Sequence, residues 1–186
     1  MKEGNMTKSI SIIIGSTRTN RVGRAIAEWV SHEAKATGFD NVELLDLKEI
    51  ALPKFDASTP TMYAPIDTPE VKAWGAQVAA AEHLVVLTPE YNRGVPSDLK
   101  AAIDMLYEEW DSKPTAIVSY GYMGGGANAG SHLRDTLTHL KTNLVEQTAA
   151  IQLSQALVTD DAVRSDEIDE STKKALADTL TALAEK

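Results

Sequence analysis

The sequence predicts a three-layer, doubly wound α/β fold built on a five-stranded parallel sheet. Short apolar runs rich in β-branched residues alternate along the 186 residues with stretches whose apolar residues recur at helical spacing. Strands that alternate with helices pair in parallel through right-handed crossovers, which place helices on both faces of the sheet. The length suits a single domain, expected over residues 1–186 with residues 1–7 as a disordered tail. The strand order stays open.

Five strands are predicted where short apolar runs end at glycine, proline or polar residues. The first run, SISIII, is followed at once by Gly15, and the fifth run is weaker than the others. In chain order, the predicted strands are residues 9–14, 42–47, 83–88, 114–120 and a run within 144–153.

The stretches between these strands have the period of helices. The first predicted helix begins at Val22 and ends near Gly38, and the second has Thr68 as its N-cap and Pro69 in its first turn. The remaining apolar faces carry Leu99, Ile103, Leu106 and Trp110, then Leu133, Leu137 and Leu140, then Leu176, Leu180 and Leu183 within residues 167–184. The polar stretch 48–68 is predicted as a long loop, of a length that suits a substrate entrance.

Composition argues against several classes of protein. The chain has no cysteine, which removes disulfides, thiolate catalysis, cysteine zinc sites and iron–sulfur clusters. Its four histidines lack metal-ligand spacing, so no metal site is predicted. A net charge of −9 opposes binding to nucleic acid. No apolar run is long enough to cross a membrane, so we expect no membrane partner and a cytoplasmic location.

The loop after the first strand has the composition of an anion site. In open α/β sheets, ligands bind beyond the carboxyl ends of the strands, and the free N–H groups and dipole of a following helix favour a phosphate. Ser16 and Asn20 can donate hydrogen bonds, and Arg18 adds a planar cation. The loop lacks the GxGxxG and Walker patterns, and a plain polar turn is the alternative. Arg21 and Arg24 are predicted on the solvated face of the helix.

The loop after the third strand, residues 89–96, contains three residues that fix an irregular backbone: two prolines and a glycine. Tyr91 and Asn92 bring a flat ring and an amide to the sheet edge, which suits a planar heterocycle. The alternative makes Tyr91 a loop anchor and Glu90 a helix cap or a solvated carboxylate.

The loop after the fourth strand, residues 121–128, contains three consecutive glycines. Such a run is entropically costly, and it suits a backbone that passes close to a ligand. A flexible surface turn is the alternative. Because all three loops follow parallel strands, we expect them to meet at one edge of the sheet.

These residues resemble the NADPH-dependent FMN reductase family of flavodoxin-like proteins. The family's GS-x-R pattern matches residues 15–18, its PEYN segment matches residues 89–92, and its LK-x-A-[IL]-D segment matches LKAAID at 99–104. A glycine-rich segment after the fourth strand matches residues 119–126. The resemblance covers about residues 8–155, and PEYN with LKAAID is its most specific part.

The resemblance implies that FMN binds where the three loops meet, and that the chain forms a homodimer or homotetramer. The implied interface includes the helix after PEYN, where Tyr107 and Trp110 suit a subunit contact or the monomer core equally well. The implied cofactor-binding residues are Ser16, Arg18, Asn20, Val22 and Gly23 for the phosphate, Pro89, Glu90, Tyr91 and Asn92 for the ring and ribityl chain, and Ser119, Gly121, Gly124 and Gly125 for the polar edge of the ring. Many relatives have a serine where this chain has Asn20-Arg21, which leaves the exact phosphate ligands open.

The implied activity is hydride transfer from NADPH or NADH, through bound FMN, to a small acceptor such as a flavin, a quinone or an azo compound. The cofactor supplies the chemistry, so no catalytic side chain is predicted. Backbone N–H groups of residues 121–126 are expected to stabilise the negative charge of the reduced ring. Arg21 and Arg93 are the candidates for a 2′-phosphate contact, and the choice of coenzyme and acceptor stays open.

The alternative function is a flavodoxin-type electron carrier, which binds FMN without its own NAD(P)H turnover. Its phosphate loop is typically built from Thr, Ser and Gly, so Arg18 and the PEYN segment favour the enzyme. A hydrolase is disfavoured because the sequence has no G-x-S-x-G elbow.

Overall fold

A computed structural model describes residues 7–158 and 163–186 of the chain. All five predicted strands are present, each within about one residue of its expected bounds. They are β1 (Ser9–Ile14), β2 (Asn41–Asp46), β3 (Leu84–Pro89), β4 (Pro114–Gly121) and β5 (Asn143–Gln152). All neighbours pair in parallel in the order β2-β1-β3-β4-β5, which is the order of flavodoxin-like sheets. The predicted fold class is therefore confirmed.

Six helices connect or follow these strands in the described part of the chain. They are α1 (Gly23–Ala36), α2 (Leu47–Ile50), α3 (Pro69–Ala80), α4 (Ser97–Asp104), α5 (Ala127–His139) and α6 (Glu170–Ala184). Thr68 caps α3 as predicted, since its side chain accepts a hydrogen bond from the N–H of Val71.

Three boundaries differ from the expectation. The short helix α2 includes Leu47, which was expected to end the second strand, and the first three residues of the stretch that was expected to be a loop. Helix α4 ends at Asp104, so Trp110 lies in a separate 3-10 turn. Ala127 and Asn128 already lie within α5, which makes the glycine-rich loop shorter than expected.

The sheet separates two apolar layers because alternate residues of each strand point to opposite faces. Ile12 and Ile14 of β1 pack with α1 and α6, whereas Ile13 packs with α3, α4 and α5. Trp110 is fully buried in this second layer, and its indole N–H donates to the carbonyl of Ile103 over 3.0 Å. Of the two roles open to Trp110, the monomer core is therefore the one observed.

Hydrogen bonds connect Lys8 to Asp40, the residue that precedes β2. The N–H of Lys8 donates to the carboxylate of Asp40 over 3.0 Å, and the N–H of Asp40 donates to the carbonyl of Lys8 over 2.9 Å. Most of the expected disordered tail, residues 1–6, lies outside the described residues.

None of the described helices is long and apolar enough to cross a membrane. Within residues 7–158 and 163–186, no group of three or more acidic or histidine side chains is placed to hold a metal ion.

Gly15 brings the end of β1 into close contact with α4. Its N–H donates to the carbonyl of Leu87 over 2.9 Å. A Cβ atom at Gly15 would lie 2.6 Å from a methyl carbon of Leu99, so a larger residue does not fit there. The loops after β1 and β3 therefore begin side by side at the carboxyl edge of the sheet.

Candidate functional site

A groove of about 240 Å³ lies at the carboxyl edge of the sheet, and we call it the edge groove. The loops after β1, β3 and β4 form its walls, as expected from the parallel topology. The lining residues are Ser16, Arg18, Asn20, Arg21, Val22, Pro89, Glu90, Tyr91, Tyr120, Gly121, Tyr122 and Leu153.

The edge groove brings together most of the predicted cofactor contacts, and the others lie around or beneath it. Those that line it are Ser16, Arg18, Asn20, Val22, Pro89, Glu90, Tyr91 and Gly121. Those outside the lining are Gly23, Asn92, Ser119, Gly124 and Gly125. The sequence reasoning did not include Arg21, Tyr120, Tyr122 and Leu153 among the cofactor contacts.

The amino end of α1 faces the edge groove without a protein cap. Val22 occupies the N-cap position, and no described side chain accepts a hydrogen bond from the N–H groups of the first turn. The first turn also contains no acidic residue. Its free N–H groups and the helix dipole therefore favour an anion in front of α1.

Arg21 stabilises the loop after β1 by contacts with the backbone and with β2. Its predicted place on the solvated face of the helix is therefore wrong. Its guanidinium donates to the carbonyl oxygen of Ser16 and to both carboxylate oxygens of Asp46, each over 2.5 Å. The side chain of Asp46 is fully buried. Asp46 ends β2, opposite Ile14 of β1, and its position in the adjacent strand was the one sequence signal for this contact.

The charge state of Asp46 follows from opposing effects. Burial would raise the pKa of this carboxyl, but hydrogen bonds from Arg21 and from the N–H of Lys48, together with the charges of Arg21 and Arg24, lower it overall. Asp46 is therefore a carboxylate at neutral pH, and it holds Arg21 in place as a bidentate ion pair.

Tyr91 connects the loop after β3 to the loop after β1. Its hydroxyl oxygen and that of Ser16 share a hydrogen bond over 2.6 Å. The guanidinium carbon of Arg18 lies 5.6 Å from the centre of the Tyr91 ring, within range of a cation–π contact. Tyr91 is thus a loop anchor, and the same side chain lines the edge groove.

Glu90 connects the loop after β3 to α5. Its carboxylate accepts hydrogen bonds from the N–H groups of Asn128 and Ala129 over 3.0 and 3.2 Å. The predicted alternative role of Glu90 as a helix cap is therefore confirmed, although the residue also borders the groove. A negative charge at the start of α5 complements the dipole of that helix.

Asn92 lies at a tight turn on the rim. Asn92 and Arg93 both have positive φ angles, of 50° and 67°, and the backbones of Tyr91 and Gly94 exchange two hydrogen bonds of 3.0 Å across the turn. Asparagine tolerates this backbone conformation better than most residues, so the turn itself accounts for Asn92.

The glycine-rich loop packs against β4 and β5, so it is not a flexible surface turn. A Cβ atom at Gly125 would lie 2.6 Å from the carbonyl carbon of Ala150, and one at Gly126 would lie 2.7 Å from the carbonyl oxygen of Tyr120. Ser119 donates to the carbonyl of Gly125 over 2.9 Å. The N–H of Gly125, which was expected to face the ring, donates to the side chain of Gln152 over 3.2 Å.

Tyr120 places a buried hydroxyl at the floor of the edge groove, where no described residue makes a hydrogen bond to it. A Cβ atom at Gly23 would lie 2.5 Å from this oxygen, so the hydroxyl lies directly beside the first residue of α1. Burial, followed by the neighbouring Tyr91, raises the pKa of the Tyr120 phenol, and the nearby Ser16 hydroxyl and the charges of Arg21 and Arg18 offset only part of this effect. The phenol therefore keeps its proton and can donate it to an anion in front of α1.

Comparison with known proteins gives a consistent result. Residues 9–156 match the family model described as NADPH-dependent FMN reductase. The chain is 40% identical over 151 residues to an NAD(P)H-dependent FMN reductase of Schizosaccharomyces pombe, covering 80% of this chain and 74% of the relative. It is 32% identical over 151 residues to a 2-hydroxy-1,4-benzoquinone reductase of a Burkholderia species, covering 76% of each chain.

A solved structure shares the fold. FerB, a flavoenzyme NAD(P)H:(acceptor) oxidoreductase from Paracoccus denitrificans, aligns over 96% of both chains with a TM-score of 0.75 and 23% identity.

Proposed function

Because the chain belongs to the family of NADPH-dependent FMN reductases, we propose that the edge groove is the place where it holds FMN. The protein is an FMN-dependent oxidoreductase that takes a hydride from NAD(P)H and reduces small acceptors. The observation that carries the location is the unpartnered, buried hydroxyl of Tyr120 beside the uncapped start of α1. Buried polar groups without partners are rare, and a phosphate oxygen would satisfy this one.

The phosphate end of the groove is built from donors. Ser16 and Tyr120 offer hydroxyl groups, and the backbone at Val22 and Gly23 offers N–H groups. Arg18 adds a positive charge at an exposed position, where it offsets part of the net charge of −9. Asn20 is also exposed and can donate from its amide. This donor set fits the dianionic phosphate of FMN.

We assign the ring of FMN to the part of the groove that is lined by proline, glycine and aromatic residues. Pro89, Tyr91 and Gly121 border it, and Tyr122 adds an exposed aromatic ring. Glu90 and Ser119 fix the surrounding loops through the contacts described above. The direct cofactor contacts predicted for Asn92, Ser119, Gly124 and Gly125 stay predictions.

Bound FMN supplies the hydride chemistry, and the chain supplies position and charge. The hydrogen bonds that Arg21 and Tyr91 make with Ser16 hold the loop after β1 in one conformation. Tyr122 lines the groove with an exposed aromatic ring, which suits contact with a planar partner. Quinones are planar, and one similar protein is named as a benzoquinone reductase, so we propose quinones as acceptors.

Titration of FMN into the apoprotein tests the location. Ser16→Ala and Tyr120→Phe each remove a donor from the groove, and we expect each to weaken FMN binding by about tenfold, measured by quenching of flavin fluorescence. Tyr107→Phe is the matched control, since Tyr107 follows α4 and borders a different cavity from the edge groove. Unchanged affinity in both groove variants would place the phosphate elsewhere.

Anaerobic addition of NADPH to the FMN-loaded protein tests the reaction. We expect the flavin absorbance to bleach, and a quinone to restore it with repeated turnover. Flavin that NADPH and NADH both fail to bleach would instead favour the electron carrier.

We further propose a homodimer that forms through the surface around Met62, Tyr63 and Tyr107. Met62 and Tyr63 are 52% and 74% exposed, and they border a cavity of about 310 Å³ beside the segment that follows α4. Sedimentation tests this: Tyr63→Glu should yield monomers, whereas Thr138→Glu, at an exposed position of α5, should not. A monomeric wild-type protein at micromolar concentration would contradict the proposal.

The cellular location and the domain organisation are also proposals. We propose that the protein acts in the cytoplasm, where its reduced coenzyme is regenerated, and a fluorescent fusion tests this. One sheet with an apolar layer on each face supports a single domain, which should unfold in one cooperative transition.

A further inference from the structure

A larger cavity of about 590 Å³ lies on the other side of the loop after β1, and we call it the lysine cavity. Lys48 and Lys54 line it, together with Phe55 and apolar side chains of the segment that follows β2. The volume is in the range of small-molecule sites. This cavity occupies part of the stretch that the sequence suggested as a substrate entrance.

The lysine cavity and the edge groove are separated by residues 16–18 of the loop after β1. Thr17 lines the lysine cavity, whereas its neighbours Ser16 and Arg18 line the edge groove. Thr17 also donates a hydrogen bond to the carboxylate of Asp98, which ties this turn to the start of α4. An extended ligand that begins at the edge groove can therefore pass over Thr17 and enter the lysine cavity.

The two lysines are unusual in this acidic chain because neither has an acidic partner or a hydrogen-bond acceptor among the described residues. Seven of the eleven lysines among the described residues have an acidic partner or a hydrogen-bond acceptor, as in Lys72 with Asp67 and Lys100 with Asp104. Lys35 and Lys141 also lack partners within residues 7–158 and 163–186, but they lie at the opposite edge of the sheet. The lysine cavity thus concentrates unused positive charge near the site of FMN.

The other cations suggested for a 2′-phosphate are already engaged. Arg21 is committed to Asp46 and the carbonyl of Ser16, and Arg93 donates to the side chain of Asn128 over 2.9 Å. A 2′-phosphate carries a charge of about −1.5 to −2 at neutral pH, so it needs a local cationic site on a chain of net charge −9.

We propose that the lysine cavity binds the adenosine 2′-phosphate end of NADPH, which rests on the proposed function of the edge groove. Lys48 and Lys54 hold the 2′-phosphate. The ring of Phe55, which is 37% exposed, packs against the adenine. The carboxylate of Asp98 also lines the cavity but belongs to the start of α4, so we place the phosphate next to the segment after β2 that carries both lysines.

Binding without turnover tests the site directly. The probes are adenosine 2′,5′-bisphosphate and AMP, titrated by calorimetry into the FMN-loaded protein. The bisphosphate should bind at least tenfold more tightly to the wild-type protein, and the difference should vanish in the variant Lys48→Gln/Lys54→Gln. The control is Lys35→Gln/Lys141→Gln, which removes the same charge from the opposite edge and should behave like the wild type.

Steady-state kinetics give the second readout. In Lys48→Gln/Lys54→Gln, the KM for NADPH should rise about tenfold, while the KM for NADH and both kcat values stay unchanged. Equal preference for the two adenosine probes in the wild type, or an unaltered KM for NADPH in the variant, would overturn the proposal. If the wild type oxidises neither coenzyme, the proposed function itself fails. All four lysines are exposed, and thermal unfolding checks that each variant is folded.

Discussion

Arg21 and Asp46 form a buried, bidentate ion pair that joins the loop after β1 to the end of β2. The same guanidinium donates to the carbonyl of Ser16, so the pair fixes the backbone of a residue that lines the edge groove. The loop that faces the FMN phosphate in our proposal therefore depends on a carboxylate that lies outside the groove.

Asp46→Asn should destabilise the protein by about 3 kcal/mol, because it leaves the charge of Arg21 buried with a neutral partner. FMN binding should weaken as well, since the carbonyl of Ser16 loses its brace. Urea unfolding and FMN titration measure the two effects. The control is Glu49→Gln, which removes an exposed partner of Arg24 and should cost less than about 1 kcal/mol. Equal stabilities of the two variants would contradict the prediction.

The ion pair should also make the fold sensitive to acid. The pKa of Asp46 is lower in the folded chain than its ordinary value of 3.8. Its contribution to the free energy of unfolding is therefore complete above the unfolded pKa and is lost as the pH falls through the folded pKa. As the pH falls below about 5, the wild type should lose more stability than Arg21→Met/Asp46→Leu, which lacks the pair. Parallel pH profiles for the two proteins would rule out this coupling.

Glu90→Ala should lower the unfolding free energy by about 1 kcal/mol, because the N–H groups of Asn128 and Ala129 lose their cap. FMN affinity should fall too, since Glu90 holds two walls of the groove together. Glu146→Ala, at an exposed position of β5, is the control for removing a carboxylate. Thermal unfolding of the apoproteins gives the comparison, and a Glu90 variant as stable as the control would refute the capping role.

The consecutive glycines should differ in their tolerance of alanine. Gly124 and Gly126 both have positive φ angles, of 62° and 78°, but apart from its chain neighbours no described residue has an atom within 4 Å of a Cβ at Gly124. Gly124→Ala should cost about 1 kcal/mol through backbone strain alone. Gly126→Ala adds a clash with the carbonyl of Tyr120 and should cost clearly more in urea unfolding. Similar losses in both variants would mean that the loop moves away from the strand.

Local pattern was sufficient to predict the sheet, because strands such as Ser9–Ile14 are contiguous apolar runs bounded by glycine or polar residues. It was less informative about the end of α4. Leu106 and Trp110 continue the helical period, yet the helix ends at Asp104 and the tryptophan reaches the core through a separate turn. A periodic apolar pattern indicates which side chains are buried. It does not specify the backbone conformation, because a helix and a helix followed by a turn can bury the same side chains.

The role of Arg21 was mispredicted because its partner is distant in sequence. Asp46 lies 25 residues away, and only strand pairing brings the two together. Glycines pose a related problem. A backbone that passes close to a ligand and a backbone that passes close to a strand both require a residue without a Cβ atom. In the structure, Gly125 and Gly126 lie close to neighbouring strands. The sequence alone contains no signal that distinguishes contact with a strand from contact with a ligand.

The contacts between Ser16 and Tyr91, between Glu90 and α5, and between Gly125 and Gln152 link all three loops through protein groups alone. In our proposal, the receptor for the cofactor is therefore preorganised, and the conformational entropy of these loops is lost during folding rather than on binding. Association should accordingly proceed in a single kinetic phase whose rate is proportional to FMN concentration. A dissociated holoenzyme should recover its cofactor without refolding, so that cofactor occupancy simply follows the supply of FMN.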